Sequence, residues 1–212
     1  TDSPLNAEEF PYLGYREATV CGVPSRIMRV GFVGELGYEI HMPTNSLAKV
    51  WNGLLEAGRP NHIKPFGVEA QRLLRLEKGH LIFGQDTDGN TNPFEVNLGW
   101  GVNLKKDRFY GRNSLKDLKE NVARKLVGFE MSDLRGLEIK ENNLTIFQGD
   151  ITGRVTSVNF SPTLKKIIGL AMINVPFHQN ESVQIRLDDG STLSALVVSS
   201  SFYDPENERQ NV

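Results

Sequence analysis

The stretch GFVGELGYEIHMP, residues 31–43, contains two glutamates, Glu35 and Glu39, either of which could bind a ligand through its carboxylate. Its glycines predict a tight turn around Glu35, and Glu39 follows within the next apolar run. A partly buried carboxylate at Glu39 needs hydrogen-bond donors. The residues alone favour an ion pair with Arg29 on the facing strand of a hairpin. The alternative is a charge-assisted pair with adjacent N–H groups of a planar heterocycle.

Glycines Gly31, Gly34 and Gly37 are evenly spaced, which differs from the G-x-G-x-x-G pattern of dinucleotide-binding turns. No helical pattern directly follows them. We expect them instead to allow positive φ and the close approach of a ligand or a neighbouring strand.

The loop DTDGNTN, which begins at Asp86, places oxygen ligands at every second position. An EF-hand needs glycine at position six and glutamate at position twelve, where this sequence has Thr91 and Asn97. The pattern therefore favours a turn-rich loop that helps to wall a site, without calcium.

The nucleophilic and metal-ligating side chains show no catalytic spacing. The sequence has no G-x-S-x-G elbow, and Cys21 has no evident base partner. The histidines are scattered, at His41, His62, His80 and His178. We expect structural roles for all of these side chains, with neither a nucleophilic hydrolase nor a bound metal.

Several stretches before residue 121 have recognisable helical or extended patterns. Residues 43–58, with Gly58 as a stop, and residues 67–79 have the apolar spacing of amphipathic helices. Arg75 falls on the polar face of the second helix, either as a surface partner of a residue one turn away or as a site residue. A further short helix is predicted within 105–120, and LGWGVNL before it predicts an extended segment.

From about residue 122 the chain changes to short β-type runs separated by Gly, Asn and Asp turns. These runs are KLVGFEM, LEIK, LTIFQGD, GRVTSVNF, IIGLAMINV, SVQIRL and LSALVVSS. The rhythm is typical of a small antiparallel barrel or sandwich. We predict an α+β fold: an antiparallel sheet with helices in residues 1–121, then a small antiparallel β-barrel in residues 122–212.

Composition excludes several classes of partner. The 24 basic and 26 acidic side chains leave a net charge of -2 and no broad basic face for nucleic acid. No apolar run approaches the roughly 20 residues of a membrane span, and the first residues lack the pattern of a signal peptide. The single cysteine rules out an intrachain disulfide. We expect a cytoplasmic protein that binds neither nucleic acid nor membrane.

Three stretches resemble, in family order, the aminomethyltransferase (glycine-cleavage T-protein) superfamily: GFVGELGYEIHMP, FGVEAQRLLRLEKGHLIFGQDTDGNTNPFE and SFYDPENERQ. The motifs VEAQRLLRLEKGH and FYDPENER most resemble those of the C-terminal folate domain in the α subunit of heterotetrameric sarcosine oxidase. Phe32 stands where T-proteins usually carry tyrosine. The resemblance implies the C-terminal part of a T-protein-like folate-binding fold, which ends in a β-barrel.

The resemblance also implies a tetrahydrofolate site. The second glutamate of the family's GE-x-G-x-E motif, here Glu39, holds the pterin ring through its amino and ring N–H groups, and Glu35 is mainly structural. Arg75 of LRLE and Tyr203 are the other implied folate contacts. Phe32 keeps an aromatic wall but lacks the hydroxyl.

The implied reaction passes a one-carbon unit from a small amine to tetrahydrofolate, giving 5,10-methylenetetrahydrofolate. In sarcosine oxidase, flavin chemistry elsewhere oxidises the N-methyl amine, so FAD or NAD would bind only other parts of the full enzyme. The family's catalytic aspartate belongs to sequence upstream of this chain. We therefore expect a piece of a longer domain that is weak or inactive alone and pairs with the missing N-terminal half or with sarcosine oxidase subunits.

Other readings of the same motifs stay open. One is a T-protein of the glycine cleavage system. A second is a non-catalytic folate-binding protein tied to iron–sulfur cluster assembly, although those carry a KGC-x-x-GQE-like signature and this chain has His80 in place of the cysteine. A third is an assembly module that docks to partner subunits.

Overall fold

The computed structural model of the chain describes residues 1–174, 176 and 178–211. The chain divides into two compact units, Thr1–Leu74 with Asp204–Val212, and Arg75–Tyr203. Within the described ranges, no helix has the length and apolar character needed to cross a membrane. The predicted domain boundary between residues 121 and 122 stays a prediction.

The first unit is built on an antiparallel sheet. Its strands, in the spatial order β1-β2-β3, are β1 (Tyr15–Val20), β2 (Val23–Arg29) and β3 (Tyr38–His41). Alternation along β2 sends Val23 and Ile27 into a core that also contains Phe10, Val20 and Val50. The buried face of this sheet therefore fixes which side chains of β2 and β3 point outward.

Three helices match the predicted ones. They are α1 (Leu47–Gly58), α2 (Val68–Lys78) and α3 (Arg112–Glu120). Helix α1 ends at Gly58 as predicted, but Val50 is its only buried residue and Trp51 is 51% exposed. The division between the two units falls within α2, after Leu74.

The second unit contains a closed antiparallel barrel, which confirms the predicted fold class. Its strands follow the order β4-β7-β6-β5-β8-β9 around the barrel. They are β4 (Arg124–Met131), β5 (Leu144–Phe147), β6 (Asp150–Ser161), β7 (Lys166–Asn174), β8 (Ser182–Arg186) and β9 (Thr192–Val198). The run IIGLAMINV matches β7 except for Val175, which lies outside the described residues.

The barrel interior is filled by alternating apolar side chains. Phe129, Val155, Ile167 and Ile185 are all within 1% of complete burial. Gly169 on β7 leaves the space that the Phe129 ring occupies, because a Cβ at Gly169 would collide with that ring. Packing of the Phe129 ring in the barrel core thus requires a residue without a side chain at position 169.

Two predicted extended segments are wrong. Leu137 and Glu138 of LEIK belong to a 3-10 helix, Leu134–Glu138, which the Asp133 side chain caps by accepting from the Arg135 amide. The segment LGWGVNL contains a second 3-10 turn, Gly99–Gly101. In both segments, a local turn includes apolar residues whose sequence pattern alone predicts a strand.

Candidate functional site

Glu39 lies on β3 with its side chain facing outward. It is paired across the sheet with Met28, whereas Arg29 is paired with Tyr38. Because side chains alternate along a strand, Glu39 and Arg29 lie on opposite faces. The Glu39 side chain is 58% exposed and meets His41, with Glu39 Oε2 3.2 Å from His41 Nε2. The predictions of partial burial and of an Arg29 ion pair are therefore wrong.

The loop before β3, residues 31–37, is tightly closed. The Val30 amide donates to the Gly37 carbonyl at 3.2 Å. Gly34 has φ +83°, in the left-handed region that favours glycine. A Cβ on Gly31 would lie 2.6 Å from the Glu35 carbonyl oxygen. These features confirm the predicted tight turn with positive φ. The close approach at Gly31 is to the backbone of the loop itself, so the predicted approach of a ligand stays a prediction.

Glu35 and Phe32 occupy different positions on this loop. Glu35 Oε1 accepts from Arg209 Nε at 2.6 Å, and the Leu36 amide donates to the Arg209 carbonyl at 3.0 Å. Glu35 thus holds the turn in place, as a structural role requires. Phe32 keeps 38% of its surface exposed. The structure therefore presents an exposed ring and an exposed carboxylate from one loop and the strand that follows it.

Arg75 is buried in the second unit, at 2% exposure, so its predicted place on a polar helix face is wrong. Its Nη1 donates to Asp86 Oδ2 at 2.6 Å and to the His80 carbonyl at 3.0 Å, and its Nη2 donates to Ser157 Oγ at 2.8 Å. Within the second unit, the guanidinium ties the last turn of α2 to the loop at Asp86 and to strand β6 of the barrel.

Asp86 is completely buried and uses both carboxylate oxygens. Oδ1 accepts from Thr156 Oγ1 at 2.7 Å and Ser157 Oγ at 2.6 Å, and Oδ2 also accepts from the Ile82 amide at 2.8 Å. Residues 155–157 carry a register shift against β7, and there the two hydroxyls meet the carboxylate. Among the described residues no cluster of His, Cys, Asp or Glu could hold a metal.

Asp88 continues the same loop and pairs with Arg124 at the start of β4. Arg124 Nη1 donates to Asp88 Oδ2 at 2.6 Å, and Arg124 Nε donates to Glu95 Oε1 at 3.1 Å. Hydrogen bonding from Arg124 holds the pKa of the Asp88 carboxyl well below its usual range, with smaller help from Thr91. Hydrogen bonding to Asp88 likewise raises the pKa of Arg124.

Tyr203 is half-buried beside the end of α2. Its amide donates to the Glu77 carbonyl at 2.9 Å. The Glu77 side chain is also buried and accepts from Ser161 Oγ at 2.6 Å and Thr163 Oγ1 at 3.1 Å. The sequence singles out Asp86 only as the start of a turn-rich loop and gives no signal for Glu77 or Ser157. Their side-chain partners are far away along the chain, at 84 positions for Glu77 and Ser161 and 71 for Asp86 and Ser157.

The predicted folate contacts are therefore distributed over both units. Phe32 and Glu39 belong to the first unit, and Arg75 and Tyr203 belong to the second. The described contacts of the Arg75 guanidinium are to protein atoms. Its predicted contact with folate, like that of Tyr203, stays a prediction.

Two family models match consecutive parts of the chain. The GCVT N-terminal domain matches residues 1–106, and the glycine cleavage T-protein C-terminal barrel domain matches residues 124–204. The chain belongs to the glycine cleavage T-protein family. The barrel of the second unit lies where the family places its C-terminal barrel domain.

Relatives of this T-protein family chain are named aminomethyltransferases. One from Thermotoga maritima is 40% identical over 200 residues, a match that covers 92% of this chain and 53% of the relative. One from Alkaliphilus metalliredigens is 36% identical over 205 residues, covering 96% and 55%. The chain spans about half the length of the curated relatives it matches.

A solved structure shares the fold of this T-protein family chain. The crystal structure of glycine cleavage system aminomethyltransferase T from Bartonella henselae superposes with a TM-score of 0.80 at 26% identity, covering 92% of this chain and 53% of that one. The predicted closer likeness to the sarcosine oxidase α subunit stays a prediction.

Proposed function

We propose that this chain binds tetrahydrofolate as part of an aminomethyltransferase, with Glu39 receiving the pterin. The observation that carries the proposal is the outward carboxylate on β3, 58% exposed. A carboxylate can accept two parallel N–H donors, which is the pattern that a pterin presents through its amino and ring N–H groups. His41 meets Glu39 only at Oε2, and each carboxylate oxygen can accept two hydrogen bonds, so both oxygens can still accept N–H donors from such a ligand.

Phe32 supplies the second contact of the proposed site. Its exposed ring lies on the loop that leads into β3, and an aromatic ring can stack on the flat pterin. No hydroxyl is present at this position, so Phe32 contributes stacking and shape only. Together the two residues would orient the ring of the folate rather than react with it.

The proposed reaction is transfer of a one-carbon unit from an aminomethyl donor to tetrahydrofolate, giving 5,10-methylenetetrahydrofolate. The printed names of the relatives support aminomethyl transfer. They also favour the glycine cleavage T-protein alternative over a sarcosine oxidase α-type enzyme. An N-methyl amine donor, FAD or NAD on other parts of an assembly, partner subunits and a cytoplasmic location all stay predictions.

Within this sequence we assign no catalytic acid or base. The proposed role of the described residues is to bind and orient folate, which lowers the barrier by holding the reactants in place. We accordingly expect this chain alone to have little or no aminomethyltransferase activity. An assay of the chain by itself, and then with the part of the Thermotoga maritima relative that it does not cover, tests that expectation.

Calorimetric titration with 5-formyltetrahydrofolate tests the binding site. Glu39→Gln turns one acceptor oxygen into a donor that faces the pterin N–H groups. We expect a loss of about 1.5–3 kcal/mol, or roughly 10- to 150-fold in Kd. Glu17→Gln, which neutralises an exposed glutamate in the same sheet, is the matched control.

Equal Kd values for wild type and Glu39→Gln would remove Glu39 from the site. If wild type does not bind, the titration is repeated with the uncovered part of the Thermotoga maritima relative added. Binding only in that mixture would mean that the pocket needs both polypeptides. Absence of binding in both cases would overturn the folate proposal.

A further inference from the structure

Residues 204–210 form a compact turn that is held by hydrogen bonds within the segment. Asp204 Oδ1 accepts from the Glu208 amide at 2.9 Å, and its Oδ2 accepts from the Arg209 amide at 3.3 Å. Asn207 adopts φ +59°, and the 3-10 helix Glu208–Gln210 follows it. Because the turn satisfies its own amides, it places Arg209 and Gln210 in a defined direction.

The 204–210 segment contacts the 31–37 loop at its tip. Arg209 uses both its side chain and its backbone there, donating from Nε to Glu35 Oε1 at 2.6 Å and accepting from the Leu36 amide at 3.0 Å. The contact joins residues 174 positions apart in sequence. Two consecutive residues of the tip are therefore fixed by one residue of the segment.

The same segment also contacts the base of the loop. Gln210 is 4% exposed, and a Cβ built on Gly31 would lie 3.6 Å from its side-chain Cδ. The Gln210 carbonyl accepts from Arg29 Nη2 at 3.4 Å, and Arg29 Nη1 donates to the Phe10 carbonyl at 2.9 Å. Arg29 is itself buried at the end of β2, so the segment is anchored to the sheet core.

We propose that the 204–210 segment is a positioning element that holds the 31–37 loop in the conformation that presents Phe32 and Glu39 to folate, with Arg209 as its positioning residue. This inference rests on the proposed function. Phe32 lies between the two points of contact, and Glu39 follows the hydrogen bond that closes the loop. Neither side chain needs to touch Arg209 to depend on it.

The ion pair between Arg209 and Glu35 is weak enough that its loss would shift the conformational equilibrium of the 31–37 loop without unfolding the first unit. The side chains of Arg209 and Glu35 are 49% and 43% exposed. Exposed pairs of this kind contribute little to global stability. Apparent affinity falls in proportion to the fraction of molecules that hold the binding conformation. Loss of the pair should therefore raise the Kd for folate by about two- to five-fold.

The test is a double-mutant cycle on Glu35 and Arg209, read out by titration with 5-formyltetrahydrofolate under conditions where wild type binds. We expect Glu35→Gln and Arg209→Gln each to raise Kd about two- to five-fold, and the double variant to add nothing further. The exchanged pair, Glu35→Arg with Arg209→Glu, should recover part of the affinity. Arg26→Gln, which breaks an exposed ion pair elsewhere in the same sheet, is the control.

Amide hydrogen exchange at Leu36 gives a readout that needs no ligand. The Leu36 amide donates to the Arg209 carbonyl, so we expect faster exchange in Arg209→Gln, with a thermal midpoint equal to that of Arg26→Gln. Faster exchange with unchanged Kd would reduce the contact to a structural one and overturn the proposal. Unchanged exchange and unchanged Kd would overturn it too. Absence of folate binding by wild type under every condition would overturn the proposed function and this role with it.

Discussion

At the scale of single residues, the pair Arg75 and Asp86 illustrates how a motif residue can serve the fold. Helical spacing predicts a polar surface at Arg75, yet the structure encloses its guanidinium between Asp86 and Ser157. Those partners lie 11 and 82 positions away in sequence. Local periodicity contains no information about such distant pairing, so the residue can be singled out from sequence but its environment cannot.

Arg75→Met should therefore destabilise the second unit strongly. Removal of one partner leaves the Asp86 carboxylate buried without its counter-charge, a change that typically costs about 3–5 kcal/mol. Urea unfolding followed by circular dichroism measures this, and Arg72→Met on the exposed face of the same helix is the control. If Arg75→Met weakened folate binding while costing no more stability than Arg72→Met, its main role would be in ligand binding.

Asp88 makes the stability of the second unit depend on pH. Its pKa is lower in the folded protein than in the unfolded chain, chiefly through hydrogen bonds from Arg124. The contribution is fully present above the unfolded pKa of about 3.9 and is lost as pH falls towards the folded pKa. Asp88→Asn should flatten the decline in unfolding free energy below about pH 4.

Unfolding of wild type and Asp88→Asn at a series of pH values between 7 and about 2 tests this. Asp117→Asn, an exposed change on α3, controls for the loss of one negative charge. An Asp88→Asn curve parallel to that of wild type through the acid range would show that the Arg124 contact does not couple protonation to folding.

At the scale of elements, the barrel is the part that the sequence predicts best. Apolar runs bounded by turn residues identify its strands, because both signals are local in the sequence. Strand β9 alternates between buried and exposed positions, whereas β7 is buried on both faces and is apolar almost throughout. The same rule fails at LEIK, where capping by Asp133 favours a 3-10 helix that packs its Gly136 closely against Met131. A turn stabilised by one side chain outweighs the β propensity of a short run.

Gly169→Ala is the sharpest test of barrel packing. A methyl group there would collide with the Phe129 ring and lie 2.5 Å from the Ser157 carbonyl oxygen. Overpacking of this kind costs about 1–3 kcal/mol. Gly101→Ala, where an added Cβ meets nothing within 4 Å, should change the unfolding free energy by less than about 0.5 kcal/mol.

Adding Phe129→Leu to Gly169→Ala gives a second check on the same contact. If the ring causes the cost, the smaller side chain should recover part of the unfolding free energy that Gly169→Ala loses. Equal stability of Gly169→Ala and Gly101→Ala in chemical denaturation would argue that the barrel adjusts around the added methyl group.

At the scale of the whole molecule, family membership can be reached from the sequence because its motifs are long and occur in order. Matches to residues 1–106 and 124–204 confirm that assignment. The choice between T-protein and sarcosine oxidase rests on two short motifs, VEAQRLLRLEKGH and FYDPENER. The residue types in these motifs do not determine which amine donates the carbon. The environment of Glu39 is also missed, because the face that a strand exposes depends on the core against which its sheet packs.

The position of β3 in its sheet bears on whether the protein aggregates through intermolecular strand pairing. Among the residues that the structure describes, β3 pairs only with β2, so it is an edge strand of the sheet, and it is only 4 residues long. Edge strands can pair with strands of other molecules, and proteins discourage this with short edges and outward charges. Glu39 and His41 are the outward residues of β3. An apolar substitution at Glu39 would therefore invite intermolecular strand pairing and aggregation, whereas glutamine keeps this edge polar.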